Sequence, residues 1–201
     1  MTEQEKMKQG YLWNDDAENM AMQPKCKKLV REFNATPMDD NEKRQALMKE
    51  MFGSVGDHVF IVPPFSAAVG KFVSIGEGTY CNMNLTLIDD WKITIGKNCL
   101  IGPNVTLCTT GHPVHPAHRT DGMYSFPVTI GNNVWIGGNV MVLPGVTIGD
   151  NSVIGAGSVV TGDIPANVVA FGVPCKVYRQ IDEHDAEYYF KGHRFDQQPR
   201  D

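Results

Sequence analysis

From position 130 an aliphatic side chain returns at every sixth residue, as Ile130, Ile136, Val142, Ile148, Ile154 and Val160, and glycine directly follows four of the six. A period of six matches neither the roughly 3.6-residue repeat of an α-helix nor the alternation of a strand. It fits short strands joined by turns and stacked so that each rung repeats the one below, about 4.8 Å apart. The aliphatic residue then points inward, and the glycine beside it permits the close backbone approach of a tight corner. Asn132-Asn133, Pro144-Gly145 and Asp150-Asn151 supply turn residues between rungs. The same register is visible earlier at Ile75-Gly76, Ile95-Gly96, Ile101-Gly102 and Leu107. An all-β dominated, parallel solenoid is therefore expected, with two open ends that need covers.

The front of the chain has a different rhythm. Residues 1–58 carry the helical signal, with helices expected over residues 24–34 and 39–52, the second capped by Asp39 with Glu42 and stopped by Gly53. Leu47, Met48, Met51 and Phe52 form the face that packs on the solenoid. The solenoid is assigned to residues 59–178 and a C-terminal flank to residues 179–201. A chain of 201 residues accommodates one such domain. No apolar run approaches the roughly 20 residues that span a bilayer. The net charge of −5 gives no general attraction to nucleic acid or to an anionic membrane. Cys26, Cys81, Cys99, Cys108 and Cys175 are odd in number and form no CxxC pair, and the first ten residues are polar, so a reducing, cytoplasmic setting is expected.

The hexad register fails between Leu107 and Ile130, which are 23 positions apart. Residues 109–127 should therefore leave the solenoid as an external loop, and long excursions from a regular scaffold are often functional. The loop holds His112, His115 and His118, half of the six histidines of the chain. A metal site needs three convergent ligands, which the intervening Pro113 and Pro116 hinder. A solvated polar loop and a general base, for which a neutral imidazole is suited, are the other readings. Asn82, Asn84, Asp89 and Asp90 precede a second disturbance of register, and stacking of coils is expected to bring them near His112.

These segments carry a resemblance. Asn84-Leu85-Thr86 with Asp89-Asp90, Pro103-Asn104-Val105-Thr106-Leu107, Gly111-His112-Pro113-Val114-His115, Met123-Tyr124-Ser125-Phe126-Pro127, Gly131-Asn132-Asn133-Val134-Trp135-Ile136-Gly137 and Gly172-Val173-Pro174-Cys175 resemble the galactoside branch of the maltose and galactoside O-acetyltransferase family. The resemblance covers nearly the whole chain and implies a left-handed parallel β-helix of hexapeptide repeats with an N-terminal helical segment and a protruding loop. It implies transfer of acetyl from acetyl-CoA to a sugar hydroxyl, commonly the 6-hydroxyl, with His112 as general base and no metal. Acceptor contacts are implied at Asp15, Asn82, Asp90 and Met123, and an oxyanion donor at the Gly138 N–H. Contacts to acetyl-CoA are implied at Trp135, Gly137, Ala156, Thr161, Lys176 and Arg179, and assembly as a homotrimer is implied. Ala68 and Gly162 depart from the family pattern, standing where relatives commonly carry a polar acceptor contact and a lysine. The alternatives are a maltose, glucose or xenobiotic O-acetyltransferase, a zinc hydratase resembling γ-type carbonic anhydrases, and a non-catalytic β-helix scaffold.

Overall fold

The computed structural model describes residues 1–198. Short parallel strands stack in three columns, the faces of a triangular prism. Face one comprises Ser54–Val55, Val73–Ile75, Ile93–Ile95, Val128–Ile130 and Thr147–Ile148. Face two comprises Phe60–Ile61, Tyr80–Cys81, Leu100–Ile101, Trp135–Ile136, Val153–Ile154 and Val168–Gly172. Face three comprises Ser66–Ala67, Thr86–Ile88, Thr106–Cys108, Met141–Val142 and Val159–Val160. The hexad aliphatics point inward, and Ile136, Val142, Ile148, Ile154 and Val160 are fully buried. Each such side chain contributes about 1.5–3 kcal/mol by leaving water.

Corners are where residue type matters most. At the edge between faces one and two, a Cβ on Gly96 would lie 2.4 Å from the Gly131 carbonyl oxygen of the next coil, so only glycine fits. Asn133, Asn151 and Asn167 adopt positive φ at that edge and link their side-chain amides from coil to coil, at 3.1 and 2.8 Å. Asparagine tolerates this left-handed conformation better than other residues carrying a Cβ.

The coils differ in length, and the difference locates the loop. Ile148 follows Ile130 by 18 residues, which is three hexads, whereas Ile95 follows Ile75 by 20. In the early coils the two extra residues sit at the edge between faces three and one, in residues 68–72 and again in 88–92. One coil higher the same edge expands into residues 109–127. The external loop thus stands on a column of widened corners, and Asp89 and Asp90 occupy the one directly beneath it.

Three helices precede the prism: α1 (Glu3–Gln9), α2 (Ala17–Ala35) and α3 (Asn41–Met51). The sequence reading missed α1 and started α2 too late, because Pro24 lies inside a helix whose N-cap is Asp16. The cap of α3 is Asp40, which accepts from Lys43 N, and not Asp39. α2 and α3 cover the first coil, whose downward backbone groups have no coil below them. Buried Arg44 donates to Ile61 O and Thr36 O, Gln45 to Val59 O, and Asn34 both donates to Phe65 O and accepts from Phe65 N. Polar side chains thus take over the hydrogen bonds that another coil would make. At the other end Cys175–Gln180 pairs antiparallel with Val168–Gly172 and closes the last coil.

Candidate active site

The loop is anchored as an arm. Thr110–Gly111 pairs antiparallel with Tyr124–Ser125, and a further bridge joins Met123 to Trp13, whose backbone groups exchange hydrogen bonds at 2.8 and 2.9 Å. The N-terminal segment is thereby bridged to the arm, and Asp15 follows two residues after the bridge. Met123 packs against the small cluster of Met7, Trp13 and Trp91. Below, Thr109 N donates to Ile88 O, and Thr109 Oγ1 accepts from Trp91 N.

Asp89 and Asp90 divide the work of the corner. The Asp89 carboxylate is fully buried and accepts from Ala68 N at 2.7 Å, Val69 N at 3.3 Å and Gly70 N at 2.5 Å. Burial pushes its carboxyl above the usual carboxylate range despite those three donors. Asp90 is only half-buried. Burial raises its carboxyl as well, the Thr110 hydroxyl beside it pulls it down, and the like charge of Asp15 raises it again. Asp15, Asp90, Met123 and His112 are thus gathered at one edge of the prism, with Asp90 as a carboxylate held close to the surface.

The three histidines separate by their partners. His115 Nδ1 accepts from Ala117 N and caps the short helical turn Pro116–His118. His118 Nδ1 pairs with Asp121 at 2.8 Å. His112 Nδ1 lies 3.3 Å from Arg119 O. A carbonyl only accepts, so Nδ1 carries the proton there, and the lone pair of the neutral ring is on Nε2. Nε2 of His112 makes no hydrogen bond among the described residues. His118→Ala is expected to keep kcat/KM within about twofold of wild type in a thiol-release assay, since it removes one exposed hydrogen bond to Asp121. Among the described residues no group of three or more His, Cys, Asp or Glu side chains is placed to hold a metal ion.

The remaining candidates lie elsewhere. Asn82 does not approach the arm. Asn82, Gly102, Gly137 and Gly155 follow one another up the edge between faces two and three, each N–H bonded to the coil above. Asn84 is on that edge too, joined to Asn104 and Asn139 in an amide ladder. Within one prism Asn82 and Asn84 thus turn a different corner of the coil from Asp89, so the expected neighbourhood with His112 is not formed by a single chain. Gly138 N–H makes no hydrogen bond among the described residues and is available as a donor. A Cβ at Gly157 or Gly162 would meet nothing within 4 Å, so this side of the upper coils is open. Trp135 points outward from face two at 55% exposure, and Ala156, Thr161 and Lys176 are exposed nearby in the fold. Arg179 is held by Asp185 through two hydrogen bonds of 2.5 and 2.6 Å, which occupy part of its fork and depress the Asp185 carboxyl to about 2.

The chain is 53% identical over 192 residues to a galactoside O-acetyltransferase of Escherichia coli (strain K12), covering 94% of this chain and 95% of that one. The chain belongs to the galactoside O-acetyltransferase family. A solved galactoside acetyltransferase in complex with coenzyme A superposes with a TM-score of 0.93 at 52% identity, over 96% of this chain and 98% of that one. A maltose O-acetyltransferase from Clostridium difficile 630 superposes with a TM-score of 0.87 at 44% identity, over 90% and 98% of the two chains. Residues 6–56 match the maltose acetyltransferase hexapeptide capping motif, and residues 127–162 the bacterial transferase hexapeptide repeats. As in this family, the prism is a left-handed parallel β-helix. In a galactoside O-acetyltransferase fold the helices α2 and α3 are thus the cap and the arm is the elaboration. The sequence reading passed over Trp13, Ser125 and Thr110, which tie the arm down. Their signal was the tryptophan of an otherwise polar N-terminal segment and the alternation in Met123 to Ser125.

Proposed function

We propose that the protein transfers acetyl from acetyl-CoA to the 6-hydroxyl of a galactoside by direct attack, with His112 as general base. The observation that carries this reading is His112 itself, exposed on an arm anchored at the edge that also holds Asp90, with Nδ1 on a carbonyl. Acetyl-CoA supplies an acyl group already activated as a thioester. A sugar hydroxyl is a poor nucleophile at neutral pH, and His112 Nε2 removes its proton as it attacks. Asp90 and Asp15 accept hydrogen bonds from other hydroxyls, and Met123 supplies an apolar surface for a ring face. Gly138 N–H donates to the acetyl carbonyl oxygen, and the open column of Gly137 and Ala156, with Thr161 across face three from it, admits the pantetheine arm. Trp135 flanks that column, with Lys176 and the unshared part of the Arg179 fork toward the phosphates.

These two halves lie on different edges of one prism, so the site is completed by a second copy. Face two carries an outward apolar row of Phe60, Tyr80, Leu100, Trp135, Val153 and Val169, where face one carries only Ser54, Ser74, Thr94, Thr129 and Thr147. Burial of the apolar row between copies supports a homotrimer with shared sites. The five cysteines are free, in keeping with a cytoplasmic enzyme.

The test is thiol release from acetyl-CoA with isopropyl galactoside, lactose, maltose, glucose and chloramphenicol as acceptors. Turnover preferring a galactoside is expected. Preference for maltose or glucose would move the protein to the maltose branch, and absence of acceptor-dependent release would overturn the acetyltransferase reading.

A further inference from the structure

Beside Asp15 the surface opens into a cleft of about 450 Å³, lined by Asp15, Met20, Gln23, Pro24, Lys27 and Arg31. A volume of that order holds a small organic group. Apart from Asp15 every lining residue belongs to α2, and the chain dictates the arrangement. Asp15 follows the bridge between Trp13 and Met123, and Asp16 caps α2 directly after it, so the first turn of the helix starts next to a carboxylate assigned to the acceptor. Gln23, Lys27 and Arg31 are spaced four apart, which stacks them on one helix face at intervals of about 6 Å. Pro24 has no N–H to return to the Met20 carbonyl four residues back, so a backbone acceptor lies on the same stretch without its helical donor.

The cations of the cleft are uncompensated. Lys27 and Arg31 are exposed, and neither side chain makes an ion pair or a hydrogen bond among the described residues. The neighbouring carboxylates are engaged elsewhere. Asp16 caps the helix, Glu18 accepts from Gln4 at 2.9 Å and lies 3.9 Å from Lys71, and Glu32 lies 3.1 Å from Lys43. Two like charges four residues apart on a helix repel each other, and an anion placed between them relieves that repulsion. The cleft therefore offers a carboxylate for hydroxyls at the start of α2 and, further along the same face, two cations for an anion, on a chain whose net charge is −5. We propose that this cleft receives the aglycone of the acceptor, and that Lys27 and Arg31 select galactosides whose aglycone carries an anionic group. Asp15 then takes sugar hydroxyls, Gln23 and the Met20 carbonyl border the link, and the ammonium and guanidinium meet the anion. This inference rests on the acetyltransferase reading and adds to it the class of acceptor.

The test compares para-carboxyphenyl and para-carbamoylphenyl galactosides as acceptors, which differ in charge and hardly in shape. In the thiol-release assay wild type is expected to favour the carboxylate about three- to tenfold in kcat/KM, the worth of two exposed ion pairs. Lys27→Gln and Arg31→Gln each lower that ratio about two- to threefold, the double variant brings it to about one, and Arg31→Glu inverts it. Raising NaCl to about 0.5 M moves the wild-type ratio toward one, because exposed charges are screened. Both side chains are exposed, and unchanged thermal melts confirm that the variants fold. A wild-type ratio of one, a preference that survives in the double variant or at high salt, or an equal loss with both acceptors overturns the proposal. Neutral galactosides turned over without any charge preference overturn this inference alone, whereas wild-type protein that releases no thiol with any galactoside overturns the acetyltransferase reading beneath it.

Discussion

His112→Ala is expected to lower kcat/KM for the acceptor by about 10²–10⁴, or roughly 3–5 kcal/mol of transition-state stabilisation, while the protein folds and binds CoA as before. The size follows from what is removed. A hydroxyl attacking a thioester must lose its proton during the step, and the proposed mechanism gives that proton to His112, whereas His115 Nδ1 caps a turn and His118 Nδ1 is paired with Asp121. Folding survives because the ring is exposed and its hydrogen bond to Arg119 O lies within the loop. Binding of CoA is expected to survive because none of the residues assigned to it is hydrogen-bonded to the arm among the described residues. Steady-state kinetics with each substrate varied, together with calorimetric titration of CoA, separates these effects. A variant that retains more than a tenth of wild-type kcat/KM removes His112 from the role of base. A variant that loses CoA affinity in parallel assigns the residue to binding.

The prism was legible because its determinants are local and periodic. Ile130, Ile136 and Ile148 with their glycines state both the inward side and the close approach of coils, and a solenoid repeats that statement until it is unmistakable. His112 was legible because the loop interrupts a period, and Asp90 because it precedes another interruption. What escaped depends on contacts between distant segments. Nothing in the spacing of Asn82 says that it turns the edge between faces two and three while Asp90 turns the next one, since corner assignment requires knowing that the early coils are 20 residues long and where the two extra residues fall. Arg44, Gln45 and Asn34 read as ordinary helix-surface residues, yet they satisfy the backbone of the first coil. Ser125 looked like one small residue in an aromatic stretch, and its role exists only because Trp13 folds over it. A helix containing Pro24 was begun late because proline is a strong stop signal in sequence, whereas here it lies in the third turn of a helix held down by Leu29, Val30 and Phe33.

Asp89→Ala is the substitution expected to cost most stability, about 3–5 kcal/mol, or roughly a 10 °C fall in Tm for a chain of this size. Three N–H groups, of Ala68, Val69 and Gly70, converge on a carboxylate with no exposed surface, and alanine leaves all three without an acceptor in a buried corner. Asp89→Asn keeps one acceptor oxygen but presents an amide to the remaining donors, so it should fall between alanine and wild type. The pH dependence distinguishes a carboxylate from a merely polar plug. Because burial raises the Asp89 carboxyl in the folded protein, the folded state takes up its proton before the unfolded chain does. The stability that comes from protonation is fully present below the unfolded value of about 3.9 and is lost as pH rises through the raised folded value. The stability of wild type relative to Asp89→Asn should therefore be greatest in mild acid and smaller at pH 7, while contributions from all other groups cancel in the difference. Thermal melts of the two proteins at pH 4.5 and pH 7, followed by circular dichroism, measure it. A wild-type advantage that grows toward pH 7 would mean that the three N–H donors outweigh burial and hold Asp89 as a stabilised anion. At neutral pH the corner beneath the arm would then be held more firmly than the raised carboxyl allows.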